Sequence, residues 1–347
     1  MKKRHLTIVL AAALATNVTA ANPPKTLRVF IWSDYIDPAV VKEFEKAAGA
    51  RVIIDTYESN ESILAKLQGG GARYDIAVPS DYVIQTMVKS GLLMPLRHAN
   101  IPNLKNIGSA FKNAPYDPKN TYSVPYQYAA TTIAYRADKI KNVPASWSVI
   151  FGPQDDGTRF VLLDDPREVI GAALKYLGFS LNTTNPRELA QARDLIIKAK
   201  RKKGFVGFDG GPGVRNKLLG NEAVIGQVYA GDGLQGAQEN KNIKLFIPKE
   251  GTTISVDTLV VLKGAPNRDL AERFINHLLD AKVGARISTY TQYATPNAAA
   301  RALLAPALRN NAALYPPASV QGKLESIREP GSAARLYDRI WTEIKAR

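Results

Sequence analysis

Apolar residues come in two alternating rhythms along most of this chain. Leu27 to Trp32 is a continuous apolar run that predicts a strand. Asp37-Pro38 then opens a helix with Val40, Val41, Phe44, Ala47 and Ala48 on one face and Gly49 as its stop. Arg51 to Tyr57 reads as a strand, and Asn60 opens a helix carrying Ile63, Leu64 and Leu67 that ends at Gly69-Gly70-Gly71. Tyr74 to Val78 predicts a further strand, with a helix over 81–89. Beyond Tyr128 the pattern predicts strands at 131–135, 159–163, 205–208, 223–229, 243–247 and 256–262. Helices are predicted at 166–177, 186–202, 214–219, 231–239, 268–279, 282–288 and 332–344. Strands alternating with helices argue for open α/β sheets with parallel pairs. No low-complexity linker divides the chain, which favours two lobes joined by more than one crossing.

The N-terminus departs from this rhythm. Lys2, Lys3 and Arg4 precede a short apolar run, Leu6 to Thr16, and Val18-Thr19-Ala20 supplies small residues, so 1–21 reads as an export signal cleaved near Ala20 or Ala21. The run is too short to span a bilayer. The chain has no cysteine, which removes disulfides, thiolate metal sites and thiol nucleophiles. It also leaves no processed N-terminal cysteine to carry a lipid. A free, soluble protein outside the cytoplasmic membrane, in the periplasm, is therefore expected, and separately a monomer.

The formal charge is +15, a balance that raises nucleic acid as a partner. The densest basic run is Lys198, Lys200, Arg201, Lys202 and Lys203, at a predicted helix C-terminus where the helix dipole favours cations. It carries no interleaved aromatics, so it reads as a solvated face and no nucleic-acid partner is expected. Catalytic signatures are thin. His98 and His277 read as structural or solvent-facing, and Gly210-Gly211-Pro212-Gly213 reads as a turn without dinucleotide spacing. No His-Glu-x-x-His, Gly-x-Ser-x-Gly or P-loop occurs. Spacing alone leaves a glycosidase-type carboxylate pair open. No enzyme, metal or cofactor is expected.

Two echoing triplets, Ser33-Asp34-Tyr35 and Ser80-Asp81-Tyr82, each follow a strand and precede a helix. Ligands of open α/β sheets bind beyond the carboxyl ends of strands, so both triplets belong on one rim. Capping accounts for Asp81 but not for an aromatic beside the acid twice. Asp257 lies inside the apolar Ile254–Leu262 stretch, where an acid is costly unless paired. Asp232 serves equally as a turn cap or a ligand group, Glu168 equally as a capping-box partner of Asp165 or a ligand group, and Trp32 taken alone favours the core.

Five segments together resemble the putrescine- and spermidine-binding proteins of ATP-driven importers. They are Val29-Phe30-Ile31-Trp32-Ser33-Asp34-Tyr35-Ile36, Tyr74-Asp75-Ile76-Ala77-Val78-Pro79-Ser80, Tyr229-Ala230-Gly231-Asp232, Ile247-Pro248-Lys249-Glu250-Gly251 and Tyr315-Pro316-Pro317. The resemblance covers essentially the whole mature chain and implies a two-lobed, hinge-bending type II periplasmic binding protein with its ligand in the cleft. Each lobe is then an open mixed sheet flanked by helices. Lobe 1 is expected over 26–128 plus 256–300, and lobe 2 over 129–255 plus 301–347 with the C-terminal helices. Crossings are expected near 126–132 and 251–256.

The resemblance further implies a ligand set of Trp32, Ser33, Asp34, Tyr35, Ser80, Tyr82, Glu168, Tyr229, Asp232, Ser255, Asp257 and Tyr293. Asp257 and Asp232 would anchor ammonium groups, Glu168 and Asp34 would add field, and Trp32, Tyr35 and Tyr293 would line the methylenes. Tyr229 and Ser255 stand where the family has larger aromatics, which shrinks the aromatic box. Ser33-Asp34 with Asp232 points to putrescine, whereas Tyr82 points to spermidine. A six-heavy-atom diamine reaches at best about −9 kcal/mol, so micromolar binding demands near-complete enclosure. The implied partners are a polyamine and the permease subunits of the importer. Another small cation, such as agmatine, cadaverine or a basic amino-acid derivative, and a signalling role remain open at this level.

Overall fold

The computed structural model describes residues 25–70 and 73–347. The export signal predicted over 1–21 and the helix-ending Gly71 lie outside the described residues. Ten strands occur among those described: β1 (Lys25–Trp32), β2 (Ala50–Tyr57), β3 (Ile76–Ala77), β4 (Ser123–Arg136), β5 (Phe160–Leu163), β6 (Phe205–Asp209), β7 (Ile225–Tyr229), β8 (Ile243–Phe246), β9 (Thr252–Val261) and β10 (Leu324–Glu325). They follow the order β2-β1-β3-β9-β4-β7-β5-β6, with β8 on β4 and β10 on β9. β1 pairs in parallel with β2 and β3, and β5 with β6 and β7; β4 runs antiparallel to β7, β8 and β9, and β9 runs antiparallel to β3 and β4 but parallel to β10.

β4 and β9 couple the two halves. Residues Ser123–Ala130 of β4 pair with β9, whereas Thr131–Arg136 pair with β7 and β8. β4 therefore leaves one half of the sheet and enters the other between Ala130 and Thr131. The strand is longer than its predicted 131–135 core. Buried on almost every residue, it lacks the alternation that marks a half-exposed strand.

Local signals explain most helix boundaries. Asp37 accepts a hydrogen bond from Ala39 N, Pro38 starts helix Pro38–Ala48, and Gly49 ends it at φ 61°, a conformation cheap for glycine. Val40, Val41 and Phe44 are buried, but Ala47 is exposed, because its place on the helical wheel falls at the edge of the apolar stripe. Helix Gly211–Leu219 starts within the glycine cluster that read as a turn. The predicted strand over 74–78 shrinks to Ile76–Ala77, and a 3-10 turn, Asp81–Val83, precedes helix Ile84–Lys89.

β1 distributes its side chains to opposite faces. Leu27, Val29 and Ile31 join one apolar cluster and Phe30 another, where it stacks on Tyr74 at 4.6 Å. A third cluster gathers Val161, Ile170, Ile196, Val228 and Ile340 around β5 and β7. Among the described residues no helix is long and apolar enough to cross a membrane.

The basic run is partly built into the fold. Helix Pro186–Lys200 ends on it, and Lys202 donates to the carbonyls of Ile150 and Gly152 at 2.7 and 2.6 Å. Lys200 reaches the carbonyl of Ile344. These two lysines close helix and loop ends rather than forming a purely solvated face. His98 and His277 bond the carbonyls of Asn120 and Val40.

Candidate ligand cleft

The carboxyl ends of β1, β3 and β7 and the middle of β9 converge on one cleft, which encloses about 560 Å³ including its open mouth. Trp32, Ser33, Tyr35, Ser80, Tyr82, Glu168, Tyr229, Asp232, Ser255, Asp257 and Tyr293 all line it. Asp34 does not. At φ 53°, a left-handed conformation that Asp tolerates, it turns outward. Its carboxylate accepts from Arg215 Nη2 at 2.9 Å. Glu58, Asn60, Ala129, Gly211 and Pro212 complete the wall. Glu58 and Asn60 follow β2 and could have been found by the same strand-end rule that found Ser33. Nothing local marked Ala129 or Gly211.

Both triplets serve one acid. Ser80 Oγ donates to Asp257 Oδ1 and Tyr35 Oη to Asp257 Oδ2, each at 2.6 Å. Ser80 and Asp257 also pair through a β-bridge, so β9 presents the carboxylate directly to the end of β3. Asn60 fixes Ser80 in turn, donating Nδ2 to its hydroxyl and accepting from its backbone N–H. Asp81 is not a cap. Ser80 occupies that position, and Asp81 sits buried with Oδ1 unpartnered.

Asp232 mirrors this arrangement on the far side. Tyr293 Oη donates to its Oδ2 at 2.6 Å, and the Tyr293 ring meets the Tyr35 ring edge-on at 4.6 Å. Two tyrosine–aspartate pairs thus stand back to back, with an aromatic partition between the acids. Asp232 lies in the first turn of helix Ala230–Glu239. Gly231 makes the approach possible, since a Cβ there would strike the Tyr293 ring, and at Gly211 it would strike Asp232.

Glu168 faces the cleft from helix Pro166–Tyr176. Asp165 caps that helix, accepting from Arg167 N and Glu168 N. The Glu168 carboxylate does not return the bond as a capping box would; it accepts from Thr131 Oγ1 at 2.7 Å. Tyr229 Oη reaches Asp165 at 3.4 Å. Trp32, held by its Nε1 donating to the Val78 carbonyl, packs on Tyr57 and meets Tyr229 at 6.3 Å. It therefore belongs to the cleft wall and not to the closed core.

The electrostatics are one-sided. Burial pushes Asp232 up to about 7 against the opposing pull of Tyr293 and Arg215. Asp257 is half-buried on the cleft wall, and desolvation raises it to about 6 despite its two hydroxyl donors. Desolvation also raises Asp81 to about 7, with the Asp257 charge adding to it. Glu168 rises through burial and then the neighbouring Asp165 charge. Desolvation is the largest influence in each case, which marks carboxylates gathered without sufficient positive charge. Arg167 partly offsets the shift at Glu168, but its guanidinium is directed to the Arg328 carbonyl and Asn182. Among the described residues no cluster has the makings of a metal site.

Residues 39–316 match the family model for bacterial extracellular solute-binding proteins. The chain belongs to that family. It is 32% identical to the putrescine/cadaverine-binding protein of Pseudomonas aeruginosa, across 98% of this chain and 99% of the relative. It is 34% identical to the spermidine/putrescine-binding periplasmic protein of Escherichia coli, across 100% and 99%. The solved spermidine/putrescine transporter substrate-binding protein of Streptococcus pneumoniae superposes with a TM-score of 0.76 at 30% identity, over 93% of this chain and 99% of that one. The fold of this solute-binding protein is the two-lobed α/β architecture of type II periplasmic binding proteins, and the protein is not an enzyme.

Proposed function

We propose that this protein captures a linear polyamine, putrescine first and spermidine second, by closing its lobes, and delivers it to the permease subunits of an ABC importer from the periplasm. One observation carries the reading. Asp257, Asp232 and Glu168 line a narrow aromatic cleft, desolvation raises the pKa of each, and among the described residues no protein cation forms an ion pair with them. A diamine supplies the missing charge at two points and apolar methylenes between them, matched to Trp32, Tyr35, Tyr229 and Tyr293. The names of the relatives support the same chemistry.

In this reading Asp257 and Asp232 each hold an ammonium, oriented by Tyr35 with Ser80 and by Tyr293. Glu168 adds field near Tyr82 and Tyr229. Asp34 acts from outside the cavity through Arg215. The lobes, 26–128 with 256–300 and 129–255 with 301–347, move about the β4–β9 pair. The protein works as a monomer after the segment ending near Ala20 or Ala21 is removed.

A thermal-shift series on the mature protein with putrescine, spermidine, cadaverine, agmatine and basic amino acids tests this reading. The melting temperature should climb with polyamine concentration as mass action requires, most with putrescine. A panel in which amino acids stabilise the protein and no polyamine does would overturn it.

A further inference from the structure

A second cavity, about 1030 Å³ including its open side, lies beyond Glu58, which it shares with the ligand cleft. Its walls come from both halves of the molecule. Glu58 and Glu61 flank the start of helix Asn60–Gln68, Asp164 follows β5, Phe208 lies in β6, and Asp338 and Trp341 project from helix Ala334–Ala346. Phe208 and Trp341 meet edge-on at 5.2 Å.

An ammonium group of the chain itself reaches three of the side chains that line this cavity. Lys345 Nζ lies 2.9 Å from both carboxylate oxygens of Asp164, 4.6 Å from the Phe208 ring centre and 5.5 Å from that of Trp341. A carboxylate on one side and aromatic faces on the other form the coordination that a primary ammonium prefers. Lys345 does not satisfy the whole cavity. Among the described residues Asp338 has no basic partner, and Glu61 Oε2 is buried without a hydrogen-bond partner. Glu61 Oε1 accepts from Tyr82, a wall residue of the inner cleft, so this acid stands between the two cavities.

We propose that the outer cavity is a second ammonium site, an entry station in which one end of a linear polyamine takes the place of Lys345 before passing Glu58 and Glu61 into the cleft. The proposal rests on the polyamine reading of the inner cleft and adds a site that the reading does not require. Lys345 acts as a tethered competitor, so the outer site is weak until that side chain swings away. Its exposed, half-open setting keeps each contact small.

The chain has three tryptophans, which makes the two cavities separately visible by indole N–H NMR. Trp32 reports the cleft, Trp341 the outer cavity, and buried Trp147 serves as the control. Putrescine should move the Trp32 signal first and the Trp341 signal in a second, weaker phase. Lys345→Ala, or Lys345→Met if the stem is needed for packing, should tighten the second phase about fivefold, the size of one half-exposed cation–aromatic contact. Asp338→Asn should weaken it by a similar factor and leave the Trp32 phase unchanged. A Trp341 signal that stays still, or that moves only in step with Trp32 in parent and Lys345→Ala alike, would overturn the entry station. If Trp32 itself ignores putrescine, the polyamine reading fails. The outer site is then judged with n-butylamine, whose single ammonium should still move Trp341 in Lys345→Ala, and whose failure to do so sinks it.

Discussion

Glu272 and Asp232 are both acids removed from water, and they behave in opposite ways. Glu272 lies fully buried in helix Arg268–Leu278, where Arg97 Nε donates to it at 2.8 Å, Asn100 at 2.6 Å and Arg268 Nε at 3.1 Å. Burial would raise its pKa, but the hydrogen bonds from Arg97, Asn100 and Arg268 outweigh that and hold it low. Asp232 has one tyrosine donor and no cation in contact, and burial prevails. In the first region the chain carries its own counterion; in the second the counterion is left to a guest. A desolvated acid is tolerable only if something neutralises it, so the unmatched region is the one that must bind.

Substitution of each acid by its amide should separate the two regions most sharply. Asp257→Asn should weaken putrescine binding by about 3–5 kcal/mol in calorimetry, because the bound ammonium loses its buried partner. The same change should leave the ligand-free melting temperature equal or higher. Glu272→Gln should do the reverse, lowering unfolding free energy in urea by on the order of 3 kcal/mol with ligand affinity intact. Equal losses of fold stability from both variants would erase the comparison.

The pH response carries the next largest effect. Asp257 and Asp232 have folded pKa values of about 6 and about 7, above the ordinary 3.8 of an unfolded aspartate. The native state therefore holds more protons than the unfolded state in that interval. The contribution of these two acids to the stability of the free protein is full below about pH 4 and is lost as pH rises through 6 and 7, by up to a few kcal/mol. Polyamine affinity should run the opposite way, strengthening from pH 5 to 8 with proton release on binding. Calorimetry in two buffers of different ionisation enthalpy reads that release directly, and its absence would mean the acids are ionised before the ligand arrives.

Gly231→Ala tests the aromatic partition. Its new methyl must displace the Tyr293 ring, which should cost about 1–3 kcal/mol of binding by separating Tyr293 from Asp232. The smallest effect belongs to Arg215→Met, which removes the Asp34 pair outside the cavity. With Asp34 about half exposed, its side chain at 52%, the loss should stay within about 1 kcal/mol in affinity and shrink further in high salt.

Much of this was legible in local pattern. The Asp37-Pro38 start and Gly49 stop framed the first helix to the residue, since a cap depends only on its immediate neighbours. An acid embedded in the apolar run of β9 marked Asp257 before any contact was known, because burial cost is a property of the residue and its strand. Local pattern failed where a side chain's direction depended on distant chain. Ser33, Asp34 and Tyr35 are consecutive, yet they turn to Glu58, Arg215 and Asp257 respectively.

The sequence by itself determined which acids and aromatics could serve and the strand ends that would offer them, through periodicities and caps that act within a few residues. Only the tertiary structure decided that Tyr35 and Ser80 meet on one carboxylate, that Asp34 faces away, and that Asp81, Asp165, Glu58 and Glu61 join the acidic surroundings. Those outcomes rest on contacts across long stretches of chain, such as the sequence separation of 222 from Tyr35 to Asp257. At that range desolvation and partner choice are set by how the sheets pack.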